Sequence, residues 1–79
     1  MHLSKFLRTE RQKRTMTQKD VARRLDVTVN TVAAWERDEN SSQPPAVPDT
    51  YQVRDLAKLY NVSADKLLSL LPPRRVADR

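Results

Sequence analysis

Thr17 to Arg37, TQKDVARRLDVTVNTVAAWER, holds two short helical patterns set back to back. Val21 and Leu25 stand four apart, and Val32 and Trp35 three apart, so each pair falls on one side of a helix. Val27 lies between the two patterns, where it can plug the corner. Ala22 matters by its size, because crossing helices approach closely only where no large side chain intervenes. Thr17 is placed to cap the first helix, with Asp20 three residues on reaching back in a capping box. Thr28 can cap the second, which is expected to run to about Arg37. Asp26 stands at the turn and tolerates a left-handed backbone better than most residues. The spacing therefore predicts two packed helices around a turn of about three or four residues.

Outward from this stretch the chain reads as helical. A first helix is expected from about Ser4 to Arg14, with Phe6 and Leu7 inward and basic residues outward. A fourth starts at Asp49 or Thr50 and continues to about Tyr60, with Asp49 and Gln52 spaced for a second capping box. Ser63 caps a fifth, which Pro72-Pro73 must end, because proline lacks the amide and clashes with the preceding turn. Asp38 to Thr50, DENSSQPPAVPDT, carries Ser, Asn and three prolines and reads as a loop that is either mobile or merely tolerated, or else contacts a partner or DNA. No segment alternates long enough for a strand, and there is no internal repeat. The expectation is an all-α domain of five helices over residues 1–71, with a long loop at 38–50 and a basic tail at 72–79.

With 79 residues there is room for one domain with a modest core. Fifteen Lys and Arg against ten Asp and Glu give a net charge of +5, which favours a polyanionic partner. The absence of cysteine excludes a disulfide scaffold and thiol chemistry and fits a reducing compartment. No apolar run approaches the roughly 20 residues that cross a bilayer, and the N-terminus lacks a signal-peptide core. A cytoplasmic protein with no membrane partner is expected. Enzyme readings have nothing to stand on. His2 is the one histidine, at a terminus expected to be loose, and without glycine no phosphate-cradling loop can be written. No catalytic residue, metal site or cofactor is assigned.

The stretch from Thr17 to Arg37 resembles the helix-turn-helix of the phage-repressor and Cro type, the XRE family. The resemblance reaches both flanks. Leu7-Arg8-Thr9-Glu10-Arg11 is similar to the family's first helix, Leu56-Ala57-Lys58-Leu59-Tyr60-Asn61-Val62-Ser63 to the link between its fourth and fifth, and Asp65-Lys66-Leu67-Leu68 to the close of the fifth. It covers about Phe6 to Leu71. It implies a repressor-like fold whose third helix enters the major groove of DNA. It also implies that Gln18 touches the DNA backbone and braces the first side chain of that helix, and that Arg11 and Glu36 form a partly buried structural ion pair. The chain departs from the pattern in two ways. Asp26 and Thr15 stand where the family often has glycine, and the loop after the third helix is longer than usual.

At about 100° per residue, Val32, Trp35 and Glu36 share the inner side of the third helix. Asn30, Ala34 and Arg37 then point away, with Val29 and Ala33 on the shoulders. Asn can pair two-pronged with adenine, while Val29 and the alanines can meet thymine methyls and let the helix sit deep. Gln18 opens the second helix, where free amides and the helix dipole suit a phosphate. Thr17, Lys19, Thr28 and Thr31 complete the candidate DNA-binding set. Capping alone explains Thr17 and Thr28 almost as well, and the blander account of the third helix is a packed helix with a small outer face.

The resulting expectation is a small transcriptional regulator, of repressor type, that binds a double-stranded DNA operator in a sequence-specific manner. The alternative is a protein-binding module such as the antitoxin of a toxin–antitoxin pair; a third reading is a fragment of a longer repressor. A homodimer, at least on DNA, is expected, because one recognition helix reads only a few base pairs. Leu67, Leu68 and Leu71 share an i, i+1, i+4 face and are the expected core residues of the fifth helix. Leu70 is then the surplus leucine and the candidate dimer contact, with the loop at 38–50 as the competing surface.

Overall fold

In a computed structural model, which describes residues 2–38, 40–43 and 45–71, the chain forms α1 (Leu3–Lys13), α2 (Gln18–Leu25), α3 (Val29–Trp35), α4 (Thr50–Tyr60) and α5 (Ala64–Leu70). No strand occurs among the described residues. The expected tail at 72–79 and the two prolines that open it lie outside them. Leu71, which precedes Pro72, is extended at φ −65° and ψ 144°, as the residue before a proline prefers.

Each helix is bounded by its own side chains. Thr17 and Asp20 form the expected capping box, with the Asp20 amide donating to Thr17 Oγ1 at 3.0 Å and the Thr17 amide to Asp20 Oδ2 at 2.9 Å. Between the two candidates for α4, Asp49 is the cap and pairs reciprocally with Gln52, both bonds 2.8 Å. Thr28 Oγ1 accepts from the Thr31 amide at 3.2 Å, and Ser63 Oγ from the Lys66 amide at 3.0 Å. His2 corrects an expectation. Instead of lying in a loose terminus it caps α1, its Nδ1 accepting from the Ser4 amide at 3.2 Å. A ring nitrogen two residues ahead of a free amide satisfies it as a short hydroxyl would. α3 stops two residues before Arg37, with Glu36 as its cap.

A chain without glycine still closes three helices through left-handed residues. Thr15, Asp26 and Asn61 have φ of 55°, 58° and 55°. After each one, the next amide reaches back to the helix: Met16 to the Arg11 carbonyl at 3.2 Å, Val27 to Ala22 at 3.0 Å, and Val62 to Ala57 at 3.0 Å. The left-handed residues bond alongside them, Thr15 to Gln12, Asp26 to Arg23 and Asn61 to Lys58. This is the Schellman pattern, in which the residue after the left-handed one turns its side chain onto the helix it has just left. Met16, Val27 and Val62 are the residues in that place, and all three pack against the core.

The core draws on every helix: Leu3, Phe6 and Leu7 from α1, Val21 and Ala22 from α2, Val32 and Trp35 from α3, Val53, Leu56, Ala57 and Tyr60 from α4, and Leu67 from α5. Helices of seven to eleven residues are marginal alone, so this shared interior is what holds them. α5 overturns the expected division of its leucines. Leu70 and Leu71 pack against the core, while Leu68 is 45% exposed. At 100° per residue, Leu70 lies about 60° from the buried Leu67 and Leu68 about 100° away, so the i+3 neighbour follows Leu67 inward. Leu70 is therefore not a surplus surface leucine.

Described residues of the long connection make local hydrogen bonds. The Asn40 amide donates to Asp38 Oδ1 at 2.9 Å and the Ser41 amide to the Asp38 carbonyl at 3.0 Å, which makes a tight Asx-type turn. The chain then returns to α3, where the Ala46 amide donates to the Ala34 carbonyl at 2.9 Å, and Pro48 is buried.

Of the three left-handed residues, Thr15 is the most strained, because its branched Cβ crowds the following carbonyl. Thr15→Gly is expected to stabilise the fold by about 1 kcal/mol, the relieved strain less the extra entropy of an unfolded glycine. In a domain of this size that is a rise of roughly 4–8 °C in thermal midpoint, measurable by circular dichroism.

Candidate nucleic-acid interface

α3 is held by its inner face, where Val32, Trp35 and Glu36 are all buried. The opposite face is open at its start. Thr28 and Asn30 are exposed and Val29 is 44% exposed. Further along, Thr31, Ala33, Ala34 and Arg37 are half-buried. Ala34, expected to point away, is half-buried, and its backbone carbonyl accepts from the Ala46 amide. The most exposed residues of α3 and its cap thus lie in its first turn, and Thr17 and Lys19 at the start of α2 are exposed as well.

The hydroxyls of Thr17 and Thr28 accept cap bonds, and Thr28 also pairs with the Thr31 hydroxyl at 2.8 Å. An accepting hydroxyl keeps its proton to give, so capping and a phosphate contact are compatible at Thr17. Asp20, held below the usual carboxylate range by the Thr17 amide, keeps the cap ionised.

Behind this surface lies the ion pair that the resemblance implied. Arg11 Nε donates to Glu36 Oε2 at 2.9 Å and to Oε1 at 3.1 Å, and Nη2 donates to Oε1 at 2.9 Å. The remaining arm, Nη1, donates to the Met16 carbonyl at 2.9 Å. The bonds from Arg11 to Glu36 outweigh burial and raise the guanidinium pKa above its usual value. Gln18 joins the same cluster. Its Nε2 donates to Glu36 Oε1 at 3.1 Å, so its amide is turned to the end of α3, not to the first side chain of α3 as the resemblance implied.

A second charged cluster was missed by the sequence reading. Glu10 is buried and accepts from Arg14 Nη1 at 2.9 Å and Lys13 Nζ at 3.2 Å. Burial pushes its pKa up, but the two bonds and the two positive charges outweigh that and leave it lowered. Arg14 reaches on to the carbonyl of Tyr60 and lies over its ring, 5.2 Å from the centroid. The i, i+4 spacing of Glu10 and Arg14 was a legible signal; the partner in α4 was not. The Tyr60 hydroxyl is buried without a hydrogen-bond partner, and burial raises its pKa to about 12. Among the described residues no group of His, Cys, Asp or Glu could hold a metal ion, and no helix is long and apolar enough to cross a membrane.

A short second helix joined by a tight turn to a third that is exposed at its start defines a helix-turn-helix protein. The chain belongs to the helix-turn-helix family, whose model matches residues 7–67. It is 41% identical over 68 residues to the HTH-type transcriptional regulator ImmR of Bacillus subtilis (strain 168). That alignment takes in 86% of this chain and 49% of the relative, so the chain spans about half the relative's length. No solved structure matches.

The side chains of Arg11 and Glu36 are only 12% and 3% exposed, so removing one partner leaves a charge in the interior. Glu36→Ala is expected to cost about 3–5 kcal/mol in urea unfolding. Replacing both, Arg11→Met with Glu36→Leu, should recover most of that loss, since no charge is then stranded.

Proposed function

We propose that the chain is a sequence-specific, double-stranded-DNA-binding transcriptional regulator, and not a catalyst, that docks the first turn of α3 in the major groove. The observation that carries this reading is the run Thr28-Val29-Asn30, exposed at the start of α3. A free helix surface usually carries long charged residues. This one carries short polar and apolar side chains, which cover little and approach a base edge closely. Asn30 supplies the paired donor and acceptor that adenine requires, and Val29 an apolar surface for a thymine methyl. Lys19 and the Thr17 hydroxyl reach phosphates on the flanking backbone.

The family membership and the similarity to a named transcriptional regulator support the same reading. On it, the chain works as a two-fold pair at least on the operator, because one recognition helix selects too few base pairs. Leu68, exposed on α5, replaces Leu70 as the leucine available for such a contact.

Binding to any duplex should weaken steeply with salt. A pair making on the order of six to ten phosphate contacts would lose roughly 10³ to 10⁵ in affinity between 50 and 200 mM salt. Fluorescence anisotropy with labelled duplex measures this, and absence of binding at low salt would sink the DNA reading in favour of a protein partner.

Asn30→Ala tests the specific half of the proposal. After operator selection from a random pool, the variant should lose about 1–3 kcal/mol at one base pair of each half-site and keep its affinity for random duplex.

A further inference from the structure

Gln18 is the first residue of α2, and Glu36 is the residue that closes α3. The turn through Asp26 and Val27 already ties the end of α2 to the start of α3, with the Val27 amide on the Ala22 carbonyl at 3.0 Å. The bond from Gln18 Nε2 to Glu36 Oε1, 3.1 Å, ties the two remaining ends. The helix pair is thereby closed into a ring, the turn at one junction and a single side-chain bond at the other.

We infer that Gln18 is a positioning residue, which fixes how α3 is presented to DNA by holding Glu36, and that a contact to the DNA backbone is not its main role. This deepens the proposed function and rests on it. Three features favour the inference. Gln18 is half-buried, whereas its neighbours Thr17 and Lys19 are exposed. Its amide nitrogen faces a carboxylate, so one of its two protons is already committed. The oxygen that receives it also accepts Arg11 Nε at 3.1 Å and Nη2 at 2.9 Å, so Gln18 reads the position of an anchor that α1 holds too. A neutral hydrogen bond to a charged, largely desolvated acceptor is among the stronger kinds. Loss of that bond leaves Glu36 held by Arg11 and unties the closing end of α3 from the start of α2 while the turn still holds its start, which shifts the face that carries Asn30.

The two roles predict different losses. A backbone contact is made on every sequence, so its removal weakens operator and random duplex by the same factor. A positioning bond matters only where base edges are read. The test uses the full chain carrying Gln18→Met, which keeps the length of the side chain and removes the donor. Operator affinity is expected to fall about tenfold more than affinity for random duplex, the scale of one hydrogen bond to a charged group. In the free protein, the Trp35 and Glu36 amides should exchange hydrogen faster than in the parent, with α4 unchanged. Equal losses on both duplexes, or a lower thermal midpoint with the specificity ratio intact, would overturn the inference. If the parent chain binds no duplex, the proposed function falls, and the exchange rates alone decide whether Gln18 positions α3. Unchanged rates at Trp35 and Glu36 would then overturn it.

Discussion

The carboxylate of Glu36 is the constraint on which the other parts of the structure depend. Four hydrogen bonds converge on its two oxygens, three from Arg11 and one from Gln18. Through them α1, the start of α2 and the end of α3 share one anchor, and through Arg11 Nη1 the anchor extends to the chain between α1 and α2. An apolar residue could fill the same space at similar stability, because the desolvation of two charges cancels much of their attraction. What an apolar contact does not supply is direction. Bonds of fixed length and angle orient the end of a seven-residue helix that has less than two turns below it to orient it otherwise.

A second charged link does comparable work on the other side of α1. Glu10 orients Arg14, and Arg14 crosses to the carbonyl of Tyr60, the last residue of α4. The ring beneath the guanidinium adds a cation–π contact. A helix C-terminus carries unpaired carbonyls and partial negative charge, so an arginine satisfies both needs at once. α1 therefore serves as a strut, with one arginine for the recognition half of the protein and another for the half that ends in α5.

Much of this architecture was legible from local chemistry. The caps Thr17, Thr28 and Ser63 act within four residues of themselves, so spacing alone located them and narrowed the cap of α4 to Asp49 or Thr50, and the inner face of α3 followed from its period. The Arg11–Glu36 pair lies 25 residues apart and was accessible only through family resemblance. Three things were not legible. The exchange between Leu68 and Leu70 depends on where α4 and the core lie across from α5, which periodicity in a seven-residue helix resolves poorly. The Arg14–Tyr60 link joins residues 46 apart. The return of Ala46 to the Ala34 carbonyl is a backbone bond inside a proline-rich loop, and no side-chain pattern announces it.

That return gives the two ends of α3 different surroundings, which the helical period alone does not announce. The end of α3 carries buried Glu36 and gives its Ala34 carbonyl to the returning connection, while the most exposed residues lie in its first turn. On the proposed reading, the helix therefore enters the groove by its N-terminal end. There the Thr28 cap holds the first turn and Val29 and Asn30 project from it. The same geometry explains why a seven-residue helix suffices. Its later residues need not reach bases; they need only carry Trp35 into the core and Glu36 to its anchor. Discrimination between sequences then rests on few side chains, and each gains its value from how firmly the far end of the helix is held. In a helix this short, the residues that read and the residues that position are separated by one turn, so specificity and folding draw on adjacent ends of one element.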